Sequence, residues 1–384
     1  MKELGKISDF CEVIAGQSPD GKAYNTDGNG MEFHQGKKAF GIKIIEESGV
    51  WTTTITKVAE AGDILMSVRA PVGPTNITNR KVCIGRGLAA IRCGENILPS
   101  FVLYALKNIE KKIIGNDGAV FNSINKKMIE NIPIPIANFN EQRRIVSYLD
   151  SSFKLIDEIK DKALKSLTEA KALFQSALAE AMEPKEGWEE KTLGEICSKI
   201  GSGATPKGGK KIYIKNGVSI IRSLNIHRNY FKYEDLAHID NNSAKKLDNV
   251  IVKNNDVLFN ITGASIARCC VVPINVLPAR VNQHVSIIRI KEGIIPHFLC
   301  YLLNSKNYQM ILLGIGESGS TRQAITKSDL EHFVIAYPPL PTQKQIVSHL
   351  DSLSSNVRQM EEKYQKMVEE CDALKQAMLR DVFE

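Results

Sequence analysis

The sequence predicts an α+β fold in which two globular domains are separated by two long antiparallel helices that form a coiled coil. Three observations lead to this prediction. The chain repeats itself internally, short β-branched runs between Gly, Asn and Pro are typical of strands, and two segments of about 40 residues contain neither Gly nor Pro. At 384 residues, the chain is long enough for about two domains.

The internal repeat is a tandem duplication. Residues 118–183 align without a gap on residues 319–384, and 20 of these 66 positions are identical. Upstream, residues 87–104 match residues 284–301, so the blocks follow the same order in both halves. The halves diverge most in two regions, which are 19–60 and 205–250. The sequence therefore predicts an internal pseudo-two-fold repeat that carries two variable regions.

Each half begins with a globular part of mixed structure. The β-branched runs Val250–Thr262 and Val281–Ile290 indicate strands. Matching helices are predicted near Ser100–Ile109 and Pro296–Leu303. A proline-marked turn is predicted to end each globular part, because Pro stops regular structure and makes the preceding residue extended. These turns are Ile132–Pro135 and Tyr337–Pro341.

A long helix is predicted after each turn, at Glu141–Met182 and at Thr342–Phe383. The second helix has apolar residues at alternating spacings of three and four, which is the pattern of a coiled-coil seam. These are Leu350, Leu353, Val357, Met360, Tyr364, Met367, Cys371, Leu374 and Met378. The equivalent, mostly smaller residues of the first helix are Leu149, Ser152, Ile156, Ile159, Ala163, Ser166, Ala170, Leu173 and Ala177. A bulky seam facing a small one predicts a close-packed pair, each helix roughly 60 Å long.

Four segments follow from these patterns. They are a first globular domain at 1–140, a first helix at 141–183, a second globular domain at 184–341 and a second helix at 342–384. The connections predict that the second helix packs back along the first in the antiparallel sense. We expect a dumbbell with approximate two-fold symmetry and with the chain termini close together.

Composition excludes several classes of protein. The chain is 43% hydrophobic and 24% charged, which is typical of globular proteins. No apolar run reaches the roughly 18 residues that span a bilayer, and the charged N-terminus does not resemble a secretory signal, so we expect a cytoplasmic protein. The eight cysteines include no C-x-x-C pair, which predicts reduced thiols and no metal site.

Positive charge is concentrated in the globular parts. The net charge is +3 for residues 1–140 and +7 for 184–341, against −1 for 141–183 and −2 for 342–384. Basic side chains also cluster with Gly, Asn and Tyr, for example at 22–25, 35–38 and 207–211. This distribution favours a polyanionic ligand for the globular domains.

Catalytic motifs are missing from the sequence. There is no G-x-x-x-x-G-K-[ST] loop for a nucleotide and no Asn/Asp-Pro-Pro-aromatic motif of an amino-methyltransferase. A nuclease pairing of Asp20 with Glu189–Lys191 would join segments from different halves, and such pairs arise by chance. We therefore predict no catalytic residue and no cofactor.

Several segments together resemble a known family. They are Gly16–Pro19 with Tyr24–Asn25, Gly62–Gly73, Ile84–Leu88 and Gly118–Phe121 in the first half, and Gly203–Pro206 with Ile220–Ile226 in the second. With the duplication and the paired helices, they make the chain similar to the DNA-specificity subunit of type I restriction-modification systems. The resemblance covers essentially the whole chain.

The resemblance implies a division of labour. Each globular domain would be a target-recognition domain that reads one half of a bipartite site in double-stranded DNA. The helices would set the spacer and dock two methyltransferase subunits, and restriction subunits would join the complex. Adenine methylation and DNA cleavage would then belong to the partners, and this chain would not be an enzyme.

Candidate DNA-contacting residues are basic and amide side chains of the two globular domains, with Tyr24 and Thr205. In the first domain they are Lys22, Tyr24, Asn25, Lys37, Lys38, Arg69 and Arg86. In the second they are Thr205, Lys207, Lys210, Lys211, Arg222, Asn225, Arg228 and Arg322. Thr262–Ser265 replaces the Arg69–Val72 segment of the first half, so we expect the two domains to read different sequences.

Two other classes of function remain open from the residues alone. A coiled-coil adaptor could bind acidic proteins through its basic end domains, and sequence-specific binding to duplex DNA would distinguish it. An enzyme would methylate or cleave DNA as the purified chain.

Overall fold

A computed structural model describes residues 3–113, 123–205, 208–317 and 324–384. The chain divides into two compact units. Unit 1 comprises Met1–Leu164 with Tyr364–Glu384, and unit 2 comprises Lys165–Lys363. Each unit therefore contains a globular part and a segment of each long helix.

Within residues 3–113 and 123–164, unit 1 is built from short strands and three helices that lead into the first long helix. The strands are β1 (Leu4–Lys6), β2 (Cys11–Ala15), β3 (Tyr24–Asn25), β4 (Met31–His34), β5 (Trp51–Thr52), β6 (Val58–Ala59), β7 (Ile64–Ser67), β8 (Thr75–Ile77), β9 (Val82–Ile84), β10 (Leu88–Cys93) and β11 (Pro133–Pro135). The helices are α1 (Ile7–Phe10), α2 (Pro99–Ile113), α3 (Lys126–Glu130) and α4 (Phe139–Ala181).

Three sheets organise the described part of unit 1. An antiparallel sheet has the strand order β2-β10-β7-β8, and a second sheet has the order β3-β5-β4-β9-β6. In the second sheet β4 and β9 run parallel, with Phe33 opposite Cys83 and His34 opposite Ile84. β1 and β11 form a separate antiparallel pair. The variable region 19–60 thus supplies strands of the second sheet.

The predicted turn at Ile132–Pro135 is wrong, because most of this segment is a strand. Pro133–Pro135 forms strand β11, in which Ile134 lies opposite Gly5 of β1. Proline is tolerated in an edge strand when its missing N–H faces away from the partner. Ile7 N donates to Ile132 O at 3.1 Å and Ile136 N donates to Glu3 O at 2.9 Å, so non-proline residues supply the donors at both ends.

The main core of unit 1 joins the antiparallel sheet to the helices. Ile64, Phe101 and Leu149 are buried in one cluster with Leu379 and Phe383 near the C-terminus. The rings of Phe101 and Phe383 meet edge to face, with centroids 5.4 Å apart. The end of the second long helix therefore packs in the core that the first globular part builds.

Unit 2 repeats this architecture. Its strands are β12 (Glu189–Thr192), β13 (Cys197–Ser202), β14 (Val218–Ile221), β15 (Ile226–His227), β16 (Tyr230–Phe231), β17 (Ala237–Ile239), β18 (Ile251–Val252), β19 (Val257–Asn260), β20 (Cys269–Val271), β21 (Ala279–Val281), β22 (Val285–Ile290) and β23 (Val334–Tyr337). Its helices are α5 (Leu193–Ile196), α6 (Asn241–Lys245), α7 (Pro296–Asn304), α8 (Lys306–Glu317), α9 (Lys327–Glu331) and α10 (Leu340–Phe383).

Three sheets of unit 2 match those of unit 1, although among the described residues β3 of unit 1 and the pair β15-β16 of unit 2 have no counterpart. The order β13-β22-β19-β20 corresponds to β2-β10-β7-β8, and the pair β12-β23 corresponds to β1-β11. The order β17-β14-β21-β18 corresponds to β5-β4-β9-β6, and again the central pair, β14 and β21, is parallel. The duplication seen in the sequence is therefore a duplication of the fold.

The long helices α4 and α10 are antiparallel in each unit. In unit 1, Asp157 pairs with Lys375 at 2.5 Å and Lys160 pairs with Asp372 at 2.9 Å. The residue number increases along α4 where it decreases along α10, so the two helices run in opposite directions. In unit 2, Leu178 of α4 and Leu350 of α10 are buried in the same core. Pro341 lies in the first turn of α10, where its missing N–H leaves no helical hydrogen bond unmade.

The predicted seam residues of α10 from Leu350 to Cys371 are buried or half-buried, as expected. Elsewhere some predicted seam residues are exposed, as Leu374 is in α10. In α4 the predicted seam residues Ile159 and Leu173 are 45% and 62% exposed, and their neighbours Lys160 and Phe174 face inward instead. The observed inward positions recur at about 3.6 residues, as in a straight α-helix, whereas a heptad repeat assumes 3.5. The difference accumulates to one residue over the length of the helix.

Candidate nucleic-acid interface

Two parallel strands of unit 1 end at one edge of their sheet. Because β4 and β9 run parallel, the segments that follow them leave the sheet on the same side. These segments are Gln35–Lys38 and Gly85–Gly87, and Gly85 N donates to His34 O at 2.8 Å between them. We call this edge the first rim, defined as Gly16–Ser18, Gln35–Lys38, Val68–Arg69 and Gly85–Gly87.

Close backbone approach holds the first rim together. A Cβ at Gly87 would lie 2.2 Å from Gln35 O, so only glycine fits there. Gly16 N donates to Leu88 O at 3.0 Å, and Ser18 Oγ accepts from Arg86 N at 3.2 Å. The glycines of the sequence motifs thus let three chain segments meet.

The rim gathers basic side chains that are distant in the sequence. Lys37, Lys38 and Arg86 are exposed on it. Val68 N donates to Gly87 O at 3.0 Å, which brings the exposed Arg69 to the same edge. Four of the predicted DNA-contacting residues therefore lie on one rim.

The other predicted residues of unit 1 have mixed environments. Tyr24 is half-buried, stacks on Phe33 with centroids 4.9 Å apart and donates from its hydroxyl to Pro19 O at 3.1 Å. Lys22 is exposed. Asn25 closes a local turn, because its Oδ1 accepts from two backbone N–H groups and its Nδ2 donates to a backbone carbonyl. The side chain of Asn25 thus has a structural role that the sequence did not indicate.

A second rim lies at the equivalent edge of unit 2. The parallel strands β14 and β21 lead into Arg222–Asn225 and Asn282–His284, and Asn282 N donates to Ile221 O at 3.1 Å. Gly203 N donates to Asn282 O at 3.2 Å, and a Cβ at Gly203 would meet Val281 O at 1.8 Å. We define the second rim as Gly203–Thr205, Arg222–Asn225, Ile261–Thr262 and Asn282–His284.

The second rim contains residues that the sequence analysis missed. His284 Nδ1 lies 2.6 Å from Thr262 Oγ1, and its Nε2 lies 3.1 Å from Nε2 of the exposed Gln283. Gln283 and His284 align with Arg86 and Gly87, so extending the matched blocks could have revealed them. Gln283 takes the place of Arg86 and Thr262 that of Arg69, and the bridges Arg69–Ser123 and Thr262–Ala324 support the second equivalence.

Two predicted residues of the second rim hold their own loop together. Asn225 is 0% exposed, donates to Lys232 O at 3.0 Å and accepts from Arg222 N at 3.1 Å. The half-buried Arg222 lies over the ring of Tyr213 at 5.5 Å and donates to Asp235 O. Asn225 presents no surface to a ligand in this structure, because its amide is used inside the loop.

The remaining candidates of unit 2 are surface residues or lie outside the described residues. Thr205 and Lys211 are exposed, and the exposed Arg228 donates to Gln309 Oε1 at 3.2 Å. The backbone of Lys210 belongs to the 3-10 turn Gly209–Ile212. Lys207 and Arg322 lie outside the described residues, as does the motif Gly118–Phe121.

A histidine follows the second rim along the chain. His227 stacks on Tyr230 with centroids 4.7 Å apart. Burial lowers the pKa of His227, and the charges of Arg268 and Lys232 lower it further. The ring is therefore neutral at pH 7, with one nitrogen that donates and one that accepts.

Within residues 3–113, 123–205, 208–317 and 324–384, no three His, Cys, Asp or Glu side chains cluster as metal ligands. No helix in these ranges has the length and apolarity needed to cross a membrane.

The chain that carries the two rims is similar to a known protein family. The family model of the type I restriction modification DNA specificity domain matches residues 2–169 and 185–370. The chain belongs to this family. It is a type I specificity subunit with two target-recognition domains, and the prediction of a non-catalytic specificity subunit is confirmed by this match.

Curated relatives of this specificity subunit come from Methanocaldococcus jannaschii. The putative type I restriction enzyme MjaX specificity subunit is 43% identical over 179 residues, which cover 46% of this chain and 41% of the relative. The type I restriction enzyme MjaIX specificity subunit is 23% identical over 373 residues, which cover 88% of this chain and 83% of the relative. The first match thus spans less than half of that relative.

Solved structures share the fold of this specificity subunit. A chain from a structure on complex assembly and conformational transition of the type I R-M system has a TM-score of 0.76 at 20% identity, covering 100% of this chain and 97% of that chain. The HsdS subunit from Thermoanaerobacter tengcongensis has a TM-score of 0.54 at 19% identity, covering 99% of this chain and 96% of that chain. These likenesses confirm the predicted fold class.

Proposed function

We propose that each rim reads one half of a bipartite target in double-stranded DNA. The observation that carries this proposal is the convergence of Lys37, Lys38, Arg69 and Arg86 on one edge of unit 1. Lysines neutralise phosphates, whereas exposed arginines can also donate two hydrogen bonds to the O6 and N7 atoms of guanine. A compact rim with both kinds of side chain suits a groove of duplex DNA.

The second rim would read a different half-site because its side chains differ. Gln283 stands where unit 1 has Arg86, and a glutamine amide pairs with adenine in the major groove as an arginine pairs with guanine. His284, oriented by Thr262, adds a second polar group. Lys211, with the predicted Lys207 and Lys210, would supply phosphate contacts.

The long helices would set the spacer between the half-sites and dock two methyltransferase subunits, with restriction subunits joining the complex. Tyr148, Leu155 and Ile159 support docking, because they are exposed apolar residues seven and four positions apart, on one face of α4. Such a complex would act on cellular DNA, which favours a cytoplasmic location. One of the similar structures comes from work on the assembly of the type I system, which agrees with these partners.

The deciding experiment is a methylation map. The chain is expressed together with a methyltransferase subunit of a type I system, and methylated adenines are located by single-molecule sequencing. We expect a two-part motif with a fixed gap that disappears when this chain is omitted. A stable complex without a chain-dependent motif would contradict the proposal.

The spacer role has its own test. Inserting one heptad into each of α4 and α10 should leave both half-sites unchanged and alter only the gap between them. An unchanged gap in a folded, active complex would rule out this role for the helices.

A further inference from the structure

Two cysteines face each other across strands of unit 1. Cys11 begins β2 and Cys93 ends β10, and the two residues are directly opposite in the antiparallel register. Their Sγ atoms are 3.7 Å apart. Both are free thiols in the structure.

Cys11 and Cys93 occupy a non-hydrogen-bonded position of the antiparallel ladder, where opposite side chains are closest. Gly94 N donates to Phe10 O at 2.9 Å, and Gly16 N donates to Leu88 O at 3.0 Å, so these two pairs are hydrogen-bonded positions. Hydrogen-bonded and non-hydrogen-bonded pairs alternate along an antiparallel ladder, which makes Cys11 and Cys93 a non-hydrogen-bonded pair. Such pairs have Cα atoms about 4.5 Å apart, within the roughly 4.4–6.8 Å range of disulfides. Rotation of the side chains alone would therefore bring the sulfur atoms into bonding distance.

Cys11 also differs in its pKa from the buried Cys269, while the hydrogen bond with Cys11 raises the pKa of Cys93. The hydrogen bond to Cys93 lowers the pKa of Cys11, although burial acts in the opposite direction, and the lower pKa favours the nucleophilic thiolate. Cys93 is partly exposed, so a small oxidant can reach the pair. Cys269 and Cys300 lie at a similar Sγ separation of 3.8 Å, but both are buried, and burial raises the pKa of Cys269 well above its ordinary value.

We propose that Cys11 and Cys93 form a reversible cross-strand disulfide when the protein meets a two-electron oxidant such as hydrogen peroxide. The Cys11 thiolate attacks one peroxide oxygen, the O–O bond breaks, and protonation of the departing hydroxide yields water and a sulfenic acid. The Cys93 sulfur then attacks the Cys11 sulfur, and the sulfenic hydroxyl leaves as a second water with the thiol proton. In total, two thiols and one peroxide give one disulfide and two waters.

The crosslink would join β2 and β10 at the ends that lie away from the first rim. β2 runs from Cys11 to Gly16–Ser18, and β10 runs from Gly85–Gly87 to Cys93, so both strands carry rim segments. The covalent loop from residue 11 to residue 93 encloses the whole first rim. Oxidation should therefore raise the melting temperature of unit 1, because the crosslink restricts its unfolded chain.

Unit 2 provides a matched control. Lys291 N donates to Ile196 O at 2.9 Å, as Gly94 N does to Phe10 O, and Cys197 lies opposite Ile290. Cys197 thus occupies the position of Cys11 but has no thiol partner across the ladder. The substitution Ile290→Cys would complete the same geometry in the second unit.

The test treats the full chain with hydrogen peroxide, alkylates the free thiols and maps peptides under non-reducing conditions. We expect a Cys11–Cys93 crosslinked peptide that dithiothreitol reverses, with Cys197 alkylated in the same sample. Ile290→Cys should gain a crosslink between Cys197 and the introduced thiol, and Cys93→Ser should lose the first crosslink. Recovery of Cys11 and Cys93 as alkylated thiols or sulfonic acids in the folded wild-type chain, or crosslinking of Cys269 to Cys300 in their place, would overturn the proposal.

Discussion

Asp256 accepts two hydrogen bonds from the guanidinium of Arg289, at 2.7 Å from Nε and 2.8 Å from Nη2. The carboxylate is fully buried, and it also accepts from Lys253 N at 2.7 Å. In unit 1, Asp63 and Arg92 form the equivalent two-point pair at 3.1 and 2.8 Å. Each pair joins the residue that precedes one strand of the antiparallel sheet, β7 or β19, to the neighbouring strand, β10 or β22.

The first prediction concerns the stability of unit 2. Asp256→Ala should lower its free energy of unfolding by about 3 kcal/mol, because breaking a buried ion pair leaves the remaining charge and a backbone donor without partners. Urea unfolding followed by circular dichroism measures the change. Glu331→Ala is the control, since Glu331 of the same unit forms an exposed pair with Lys327 at 3.3 Å and such pairs contribute below about 1 kcal/mol. Equal effects of the two substitutions would contradict a structural role for the buried pair.

How far the sequence predicts this molecule depends on the range of the interaction involved. Gln142 and Gln343 are identical in the repeat, and the structure explains why: each accepts one backbone N–H and donates to two backbone carbonyls at the start of a long helix. The repeat, the helices and the fold class follow from patterns along the chain, because local periodicity and identity carry them.

The rims could be predicted only in part, because they depend on contacts between distant segments. The sequence identified Arg69 and Arg86 as basic residues, but their proximity depends on Val68 N donating to Gly87 O. The proximity of Arg86 to Lys37 and Lys38 depends on the parallel pairing of β4 with β9. Asn225 is a residue type that often binds ligands, but here its side chain is buried by its own loop. Parallel pairing and burial depend on the complete fold, and a single sequence does not display them.

The second prediction concerns the affinity of the first rim for DNA. Replacing Lys37, Lys38 and Arg86 with Ala should weaken binding to all sequences and flatten the dependence of log K on log salt, by up to about 0.9 per lost phosphate contact. Fluorescence anisotropy with the assembled complex at several salt concentrations measures the slope. The charge-matched control replaces the exposed helix residues Lys344, Lys363 and Lys366 with Ala. The same slope in both variants would show that the rim is not the phosphate contact.

The third prediction concerns which half-site each rim reads. Gln283→Ala should relax one base of the half-site read by unit 2 and leave the other half-site unchanged, because a two-point side-chain contact to a base is worth about 1–3 kcal/mol of discrimination. Arg69→Ala should do the same for unit 1, because Arg69 is the other exposed arginine of the first rim. Methylation maps of the two variants in the same complex test this directly. Relaxation of the same half-site by both substitutions would refute the assignment of one rim to each half.

The fourth prediction concerns the acid stability of unit 1. Burial alone raises the pKa of Glu32, but hydrogen bonds from Arg80 and Ser48 N, with the nearby charges of His34 and Arg80, outweigh burial and hold this pKa at about 2. Because this pKa is lower in the folded state than the ordinary value of 4.5, the unfolded chain binds the proton first. The stabilisation is therefore complete above pH 4.5 and is lost as the pH falls towards 2.

The variant Arg80→Met isolates this effect. It should be less stable than the wild type by on the order of 2 kcal/mol at pH 7, and the difference should shrink as the pH falls from about 4.5 towards 2. Burial lowers the pKa of His34, and the charge of Arg80 contributes a smaller part of this shift. The resulting loss of stability begins near pH 6.5 in both proteins, and it cancels in the comparison except for the part that Arg80 contributes. Urea unfolding between pH 3 and 7 measures the difference, and Arg144→Met, which removes an exposed partner of Glu141, is the control. A difference between wild type and Arg80→Met that stays constant over this range would exclude the Glu32–Arg80 pair as the source, because an effect that is independent of protonation has no pH window.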